Sequence, residues 1–127
     1  MKNIFTFIFA LTSCFAVSQT IIKNVDAAVF KKLIDEKKSV LIDLRTSDEI
    51  KNKGMIKGAV QIDFLSKDAE ISIDKLDKKK TYLIYCAGGG RSGDAAELMQ
   101  KKGFKEVVNL SKGFDDWKKQ GFAVETK

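Results

Sequence analysis

The chain contains no histidine, no proline and only two cysteines. Without histidine, cysteine–histidine and serine–histidine–aspartate catalysis are excluded, and so is imidazole metal ligation. Two cysteines cannot build a thiolate zinc centre, so neither a metal nor a cofactor is expected. No proline-rich or low-complexity stretch divides the 127 residues, which suffice for one domain. Arginine is confined to Arg45 and Arg91, and basic residues do not interleave with aromatic ones. The net charge of +6 therefore does not read as a nucleic-acid surface. Lysine carries that charge and is spread along the chain, with Asp77-Lys78-Lys79-Lys80 reading as a solvated turn. A mild positive field favours the approach of small anions.

Long hydrophobic runs are also scarce. The one near the amino end, Ile4 to Leu11, follows the basic start Met1-Lys2-Asn3 and is too short to span a bilayer. Residues 1–18 read as an export signal and 19–127 as the folded domain. Ala16-Val17-Ser18 offers small residues for cleavage before Gln19, which implies a soluble periplasmic or extracytoplasmic protein. Leu11-Thr12-Ser13-Cys14 resembles a lipobox and gives the alternative, a lipoprotein held at a membrane through Cys14. A buried amino-terminal helix is the third reading, disfavoured because the stretch has no polar face. Cleavage at Gln19 removes one charge, Lys2, taking +6 to +5, and leaves Cys86 as the single thiol. An unpaired cysteine in an oxidising compartment points to reactivity. An inert buried cysteine is the alternative.

Apolar patterning predicts alternating strands and helices. Strands are expected at Thr20–Ile22, Val40–Arg45, Ala59–Phe64, Thr81–Tyr85 and Glu106–Leu110. Helices are expected after Asn24 or Asp26, after the capping box Thr46-x-x-Glu49 and over Asp68–Leu76. Two more are expected from Ser92 to Lys102 and from Phe114 to Gln120. Alternation of this kind implies an α/β domain of three layers, with a mostly parallel sheet of about five strands covered by helices on both faces.

Cys86 stands where such a sheet places its ligands, at the carboxyl end of an apolar strand and before a helix. The loop Cys86-Ala87-Gly88-Gly89-Gly90-Arg91-Ser92 holds three successive glycines. Glycine lets backbone N–H groups curl inward as an anion nest. The helix start adds its positive dipole end and Arg91 a full charge. A thiol there is expected to titrate below its free value of ~8.5, in the ~3.5–7.5 range, and to act as a nucleophile without a partner base. Gly88-x-Gly90-x-x-Gly93 also fits a dinucleotide fingerprint. The following strand ends Asn109-Leu110 without an acid for a ribose, and the chain is too short for two nucleotide-binding halves. Cysteine-dependent phosphatases share the strand–Cys–loop–Arg–helix order, but their loops are one residue longer; the smaller nest suits a single sulfur better than a phosphate.

The segment Tyr85 to Ser92, followed by Ala95-Ala96, Leu98, Gly103-Phe104, Val107, Leu110, Gly113, Trp117, Gly121 and Val124, resembles the carboxyl half of single-domain rhodaneses. Leu41 to Arg45, Glu49, Gly54, Ile56, Gly58-Ala59 and Ile62 follow the same family's amino half, so the resemblance covers residues 20 to 125. It implies a rhodanese-like fold and a sulfurtransferase. Cys86 would take sulfane sulfur from thiosulfate or a similar small anion as a persulfide. Cyanide, a thiol or a protein thiol would accept it. The amides of Ala87, Gly88, Gly89, Gly90, Arg91 and Ser92 would surround that sulfur. Arg91 would orient the donor or stand solvated in the first helical turn. Asp43 would hold the loop and Arg45 pair with it, or both would be architectural. Glu49 reads as a cap and Trp117 as core. The family often has Gly-His-Ile where this chain has Gly54-Met55-Ile56, and two glycines where Lys112-Gly113 keeps one. A monomer without nucleic-acid partners is expected, meeting a membrane only if lipidated. Other readings are a non-catalytic sulfur carrier or sensor, a phosphatase-like or arsenate-reducing enzyme, and an interaction-only copy of the fold. Gly89→Val is expected to harm transfer more than stability.

Overall fold

A computed structural model of the protein describes residue 4, residues 6–12 and residues 19–126. Cys14 and Ala16-Val17-Ser18, on which the processing readings turn, lie outside the described residues. Residues 6–12 form neither helix nor strand, and Phe7, Ile8, Phe9 and Leu11 are exposed, unlike a buried amino-terminal helix. Among the described residues no helix is long and apolar enough to cross a membrane.

Among the described residues ten elements alternate: β1 (Ile21–Val25), α1 (Ala27–Asp35), β2 (Val40–Asp43), α2 (Ser47–Lys53), β3 (Val60–Gln61), α3 (Ala69–Asp74), β4 (Thr81–Tyr85), α4 (Gly90–Lys101), β5 (Glu106–Leu110) and α5 (Gly113–Lys119). The strands form one sheet in the order β1-β5-β4-β2-β3, and every pairing is parallel. A parallel sheet needs cover on both faces. Two core clusters supply it. Ile42, Tyr82 and Ile84 pack with Ala95, Ala96 and Met99 of α4 on one face. Leu41, Leu83 and Tyr85 pack with Phe30 of α1 and with Phe114 and Trp117 of α5 on the other. The two-residue alternation along β4 thus sends Tyr85 to one face and Cys86 to the opposite one.

The expected strands and helices are all present, with shifted limits. The first strand runs on to Val25, because Asn24 stays in register with Asn109 and its side chain accepts a bond from Asn109 Nδ2. The cap of α1 is consequently Asp26, whose carboxylate accepts from the Val29 amide. The strand expected over residues 59–64 shortens to Val60–Gln61, an edge strand paired only with β2. The Ile62 and Phe64 amides still donate to the carbonyls of Asp43 and Leu44. The helix expected from Ser92 begins two residues earlier, at Gly90, because Gly89 turns the chain at φ 101°. The capping box of α2 is present as read, with Thr46 and Glu49 bonding reciprocally.

Candidate active site

Cys86 follows β4, the middle strand of the sheet, and is 1 % exposed. Its Sγ accepts hydrogen bonds from the Gly89 amide at 3.1 Å and the Ser92 amide at 3.4 Å. The Ser92 hydroxyl lies 3.4 Å from Sγ and 3.2 Å from the Gly89 carbonyl oxygen. One hydroxyl proton cannot serve both acceptors. Charge on sulfur draws it to Sγ.

Burial of the thiol pushes its pKa up. The Ser92 hydroxyl and the amides of Ser92, Gly89 and Gly88 oppose it, and together they win, so the pKa falls below the ordinary thiol value. These donors sit at the amino end of the twelve-residue α4, where the helix dipole adds to them. The cradle is thus made of neutral donors. No side-chain cation bonds the sulfur among the described residues.

The loop is held in shape by close backbone approach. A Cβ at Gly89 would overlap the Ser111 carbonyl oxygen, and one at Gly113 would overlap the Ala87 carbonyl. At φ 101° and 71° both positions favour glycine on backbone grounds as well. Two further bonds tie the loop to α5: the Phe114 amide donates to the Cys86 carbonyl at 2.8 Å, and the Asp115 amide to that of Ala87 at 3.0 Å. Only the second of the two glycines common in the resemblance faces this contact. Lys112 sits at φ −99°, which any residue adopts, and is exposed. By contrast, a Cβ at Gly88 or Gly90 would meet open space.

A second buried cluster underlies the loop. Asp43 and Arg45 are fully buried and joined through two side-chain bonds, at 3.0 and 2.7 Å. Asp43 also accepts from the Tyr85 hydroxyl at 2.6 Å, and that hydroxyl accepts from the Ile56 amide. Arg45 donates onward to the Gly54 carbonyl, and its guanidinium lies 3.8 Å from the centre of the Phe114 ring. Arg45 Nη1 has no hydrogen-bond partner among the described residues, and the aromatic face compensates it. Burial lowers the Arg45 pKa, but its bonds to Asp43 outweigh this and raise it. Burial and the Asp43 charge both push the Tyr85 phenol up.

These bonds assign Asp43 a place more exact than a loop-holding carboxylate. It bonds no residue of the Cys86 loop among the described residues; it fixes Arg45, which stacks on Phe114, whose amide holds the Cys86 carbonyl. Arg91 is neither a solvated first-turn residue nor a free cation. It forms a bidentate pair with Glu49 at 2.7 and 2.9 Å, with both side chains about one quarter exposed. Glu49 is thereby more than a cap. Its bond from Arg91 holds its carboxyl down at about 2, against the smaller opposing effect of burial. Glu49, Tyr85, Gly113 and Phe114 did not stand out as supports of the loop. The sequence marks Glu49 only as the acid of the capping box and a position of the family resemblance, because its partner Arg91 is 42 residues away.

Residues 26–120 match the family described as the rhodanese-like domain. The chain belongs to this family. A sulfurtransferase of Allochromatium vinosum is 31 % identical over 94 residues, covering 74 % of this chain and 85 % of that protein. A thiosulfate sulfurtransferase of Coxiella burnetii is 34 % identical over 87 residues, covering 68 % of this chain and 78 % of its own. The crystal structure of a rhodanese-related protein from Thermoplasma volcanium superposes with a TM-score of 0.72 at 25 % identity, covering 83 % of this chain and 99 % of that one. In this rhodanese-like domain Met55 is buried and its backbone bridges Glu125, so the middle of the Gly54-Met55-Ile56 segment is a packing position here. Trp117 is core, as its helical spacing with Phe114 implies.

Proposed function

We propose that this rhodanese-like protein is an enzyme that transfers sulfane sulfur through a persulfide on Cys86. The observation that carries the proposal is the sulfur cradle: two backbone amides and one hydroxyl converge on Sγ at a helix start, and the thiol pKa is lowered. A thiolate so held is a nucleophile near neutral pH. It attacks the outer sulfur of thiosulfate, and a new S–S bond forms at Sγ. The donor's S–S bond breaks and its electron pair leaves with sulfite. The persulfide is itself an anion, so the same donors that hold the thiolate are available to its outer sulfur. Cyanide or a thiolate then attacks that outer sulfur, and the bonding pair returns to Cys86 as thiolate. No oxidant is consumed, and the two half-reactions make ping-pong kinetics.

Thiosulfate fits as donor because it is a small dianion and the nest is narrow. Arg91 is neutralised by Glu49, so its assigned role is to latch α2 against the start of α4. The Asp43–Arg45 pair positions the loop through Phe114. The amino-terminal segment reads as an export signal, cleaved before Gln19 or lipidated at Cys14, which would place the enzyme outside the cytoplasm.

The test is intact mass of the purified protein before and after thiosulfate, then after cyanide. Gain of one sulfur on Cys86, removed as thiocyanate over many cycles, is the expected result. A persulfide that forms but does not turn over with small acceptors would make the protein a carrier. No gain, together with hydrolysis of an aryl phosphate, would make it phosphatase-like.

A further inference from the structure

Because every strand is parallel, the carboxyl ends of β4 and β5 lie side by side, with Ile84 level with Asn109. Cys86 follows β4 and Lys112 follows β5, so both stand at the same edge of the sheet. The two segments touch twice. Gly89 approaches the Ser111 carbonyl, and Gly113 the Ala87 carbonyl, so closely that neither contact leaves room for a Cβ. Lys112 lies between these contacts and is exposed. Backbone contact on each side therefore fixes its Cα beside the Cys86 loop, while its flexible four-carbon stem stays free.

Lysine is the wrong residue type for helix stability at this position. Lys112 is the N-cap of α5, where Ser, Thr, Asp or Asn would accept a bond from the first turn, and its side chain makes no such bond. A cation there also opposes the helix dipole, which Asp115 and Asp116 in the first turn complement. Neither carboxylate compensates Lys112. Asp115 pairs with Lys53 at 3.7 Å, and Asp116 accepts from the Gln120 side chain at 2.6 Å. Among the described residues Lys112 has no ion-pair partner.

The chemistry of the mouth supplies a reason for the cation. Thiosulfate is a dianion, and the neutral donors of the cradle are spent on sulfur. Arg91 is spent on Glu49. The other charged residues at this edge are mostly acidic, with Asp48, Asp63, Asp68 and Asp94 against Lys67. Lys112 is the unpaired cation held against the loop.

We propose that Lys112 binds the anionic end of the sulfur donor and makes the Cys86 mouth prefer anionic over neutral reagents. The donor's identity rests on the persulfide reading; the charge preference is a property of the mouth itself. The outer sulfur of thiosulfate enters the cradle, and its charged end stays at the mouth beside Lys112.

The test compares alkylation of Cys86 in the full chain by iodoacetate, an anion, and by iodoacetamide, its neutral analogue. The thiolate displaces iodide from both, so a change in the thiol's own titration cancels in the ratio of the two rates. Lys112→Gln should lower the iodoacetate-to-iodoacetamide ratio about three- to tenfold, and Lys112→Arg should keep it. Added salt should bring the wild-type ratio towards that of Lys112→Gln. Lys67→Gln, at the same edge but not held against the loop, should change the ratio less than about twofold. In sulfur transfer, Lys112→Gln should lower kcat/KM for thiosulfate by a similar factor. Lys112→Asn supplies the missing cap and should melt about 2–6 °C higher while losing the preference. An unchanged ratio in Lys112→Gln, an equal loss in Lys67→Gln, or a loss that Lys112→Arg shares would each overturn the proposal. A lost preference with a lower melt in Lys112→Asn would make Lys112 a structural support and overturn it too. A lost preference in a protein that forms no persulfide would uphold Lys112 as the anion anchor and overturn the sulfur-transfer reading instead.

Discussion

The Cys86 cradle and the Asp43–Arg45 cluster lie at the carboxyl ends of neighbouring strands, β4 and β2, and handle charge by different means. The cradle holds a single ionisable atom with neutral donors and a helix end. The cluster holds a full ion pair, a phenol and an aromatic face. A thiolate held by neutral donors remains a free nucleophile, because no counter-ion must be displaced when sulfur is transferred. A buried cation held by a fixed carboxylate cannot move without leaving one charge uncompensated. The first arrangement suits reaction and the second suits stiffness, and Phe114 joins them.

Substitutions can break that contrast, beginning with the largest effect. Cys86→Ser should abolish sulfur transfer, by at least ~1000-fold in kcat/KM, while the thermal melt stays near wild type. Retained transfer in a discontinuous thiocyanate assay would remove Cys86 from the mechanism. Asp43→Ala should do the reverse. It strands the buried Arg45, and urea denaturation should show a loss of about 3–5 kcal/mol. A loss under ~1 kcal/mol would mean that the aromatic face of Phe114 alone compensates the guanidinium.

Gly89 belongs to both regimes. The expectation that substitution here harms transfer more than stability does not take account of the Ser111 carbonyl, which a Cβ would overlap. Gly89→Ala should therefore cost about 1–3 kcal/mol as well as activity. Gly88→Ala, whose Cβ meets open space, should change stability by less than ~0.5 kcal/mol. Equal destabilisation by the two would show that positive φ and close approach do not decide the loop's tolerance.

Ser92→Ala sharpens the comparison on the cradle side. It removes a donor that lowers the Cys86 pKa. The rate of alkylation followed against pH should shift to higher pH, with slower reaction at neutral pH and an unchanged plateau in alkali. An unmoved profile would assign the stabilisation to the amides alone.

The smallest effect is expected at Glu49. Its folded pKa, about 2, lies below its ordinary 4.5. The linked stability is present above pH 4.5 and is lost as pH falls towards 2. The pair is partly exposed, so the contribution is at most about 1 kcal/mol. Glu49→Gln keeps the cap and should flatten the acid limb of the stability curve between those pH values. An identical acid limb in both proteins would show that the Arg91–Glu49 pair adds nothing to folding.

Much of this was legible from residue order. The strand–Cys–glycine–Arg–helix sequence located Cys86, because a parallel sheet presents its strand ends to ligands and glycines free the backbone. The capping box of α2 was legible because its bonds span only three residues. So was the pairing of Arg45 with Asp43, two residues away; the partners of Arg91 and Tyr85 were less so. Glu49 and Arg91 are 42 residues apart, as are Tyr85 and Asp43. The retained glycine at Gly113 makes sense only against the Ala87 carbonyl it touches.

What the sequence determined by itself is therefore local: alternation of strand and helix, the position of the thiol, and exclusion of histidine and zinc chemistry. Those follow from residue types, spacing and nearby backbone geometry. The tertiary structure decided which charges meet. It paired Arg91 with Glu49, brought the Tyr85 hydroxyl onto Asp43 and set the Phe114 ring over Arg45. Pairing between distant charges depends on where strands and loops are brought together, and no periodicity in the chain records that.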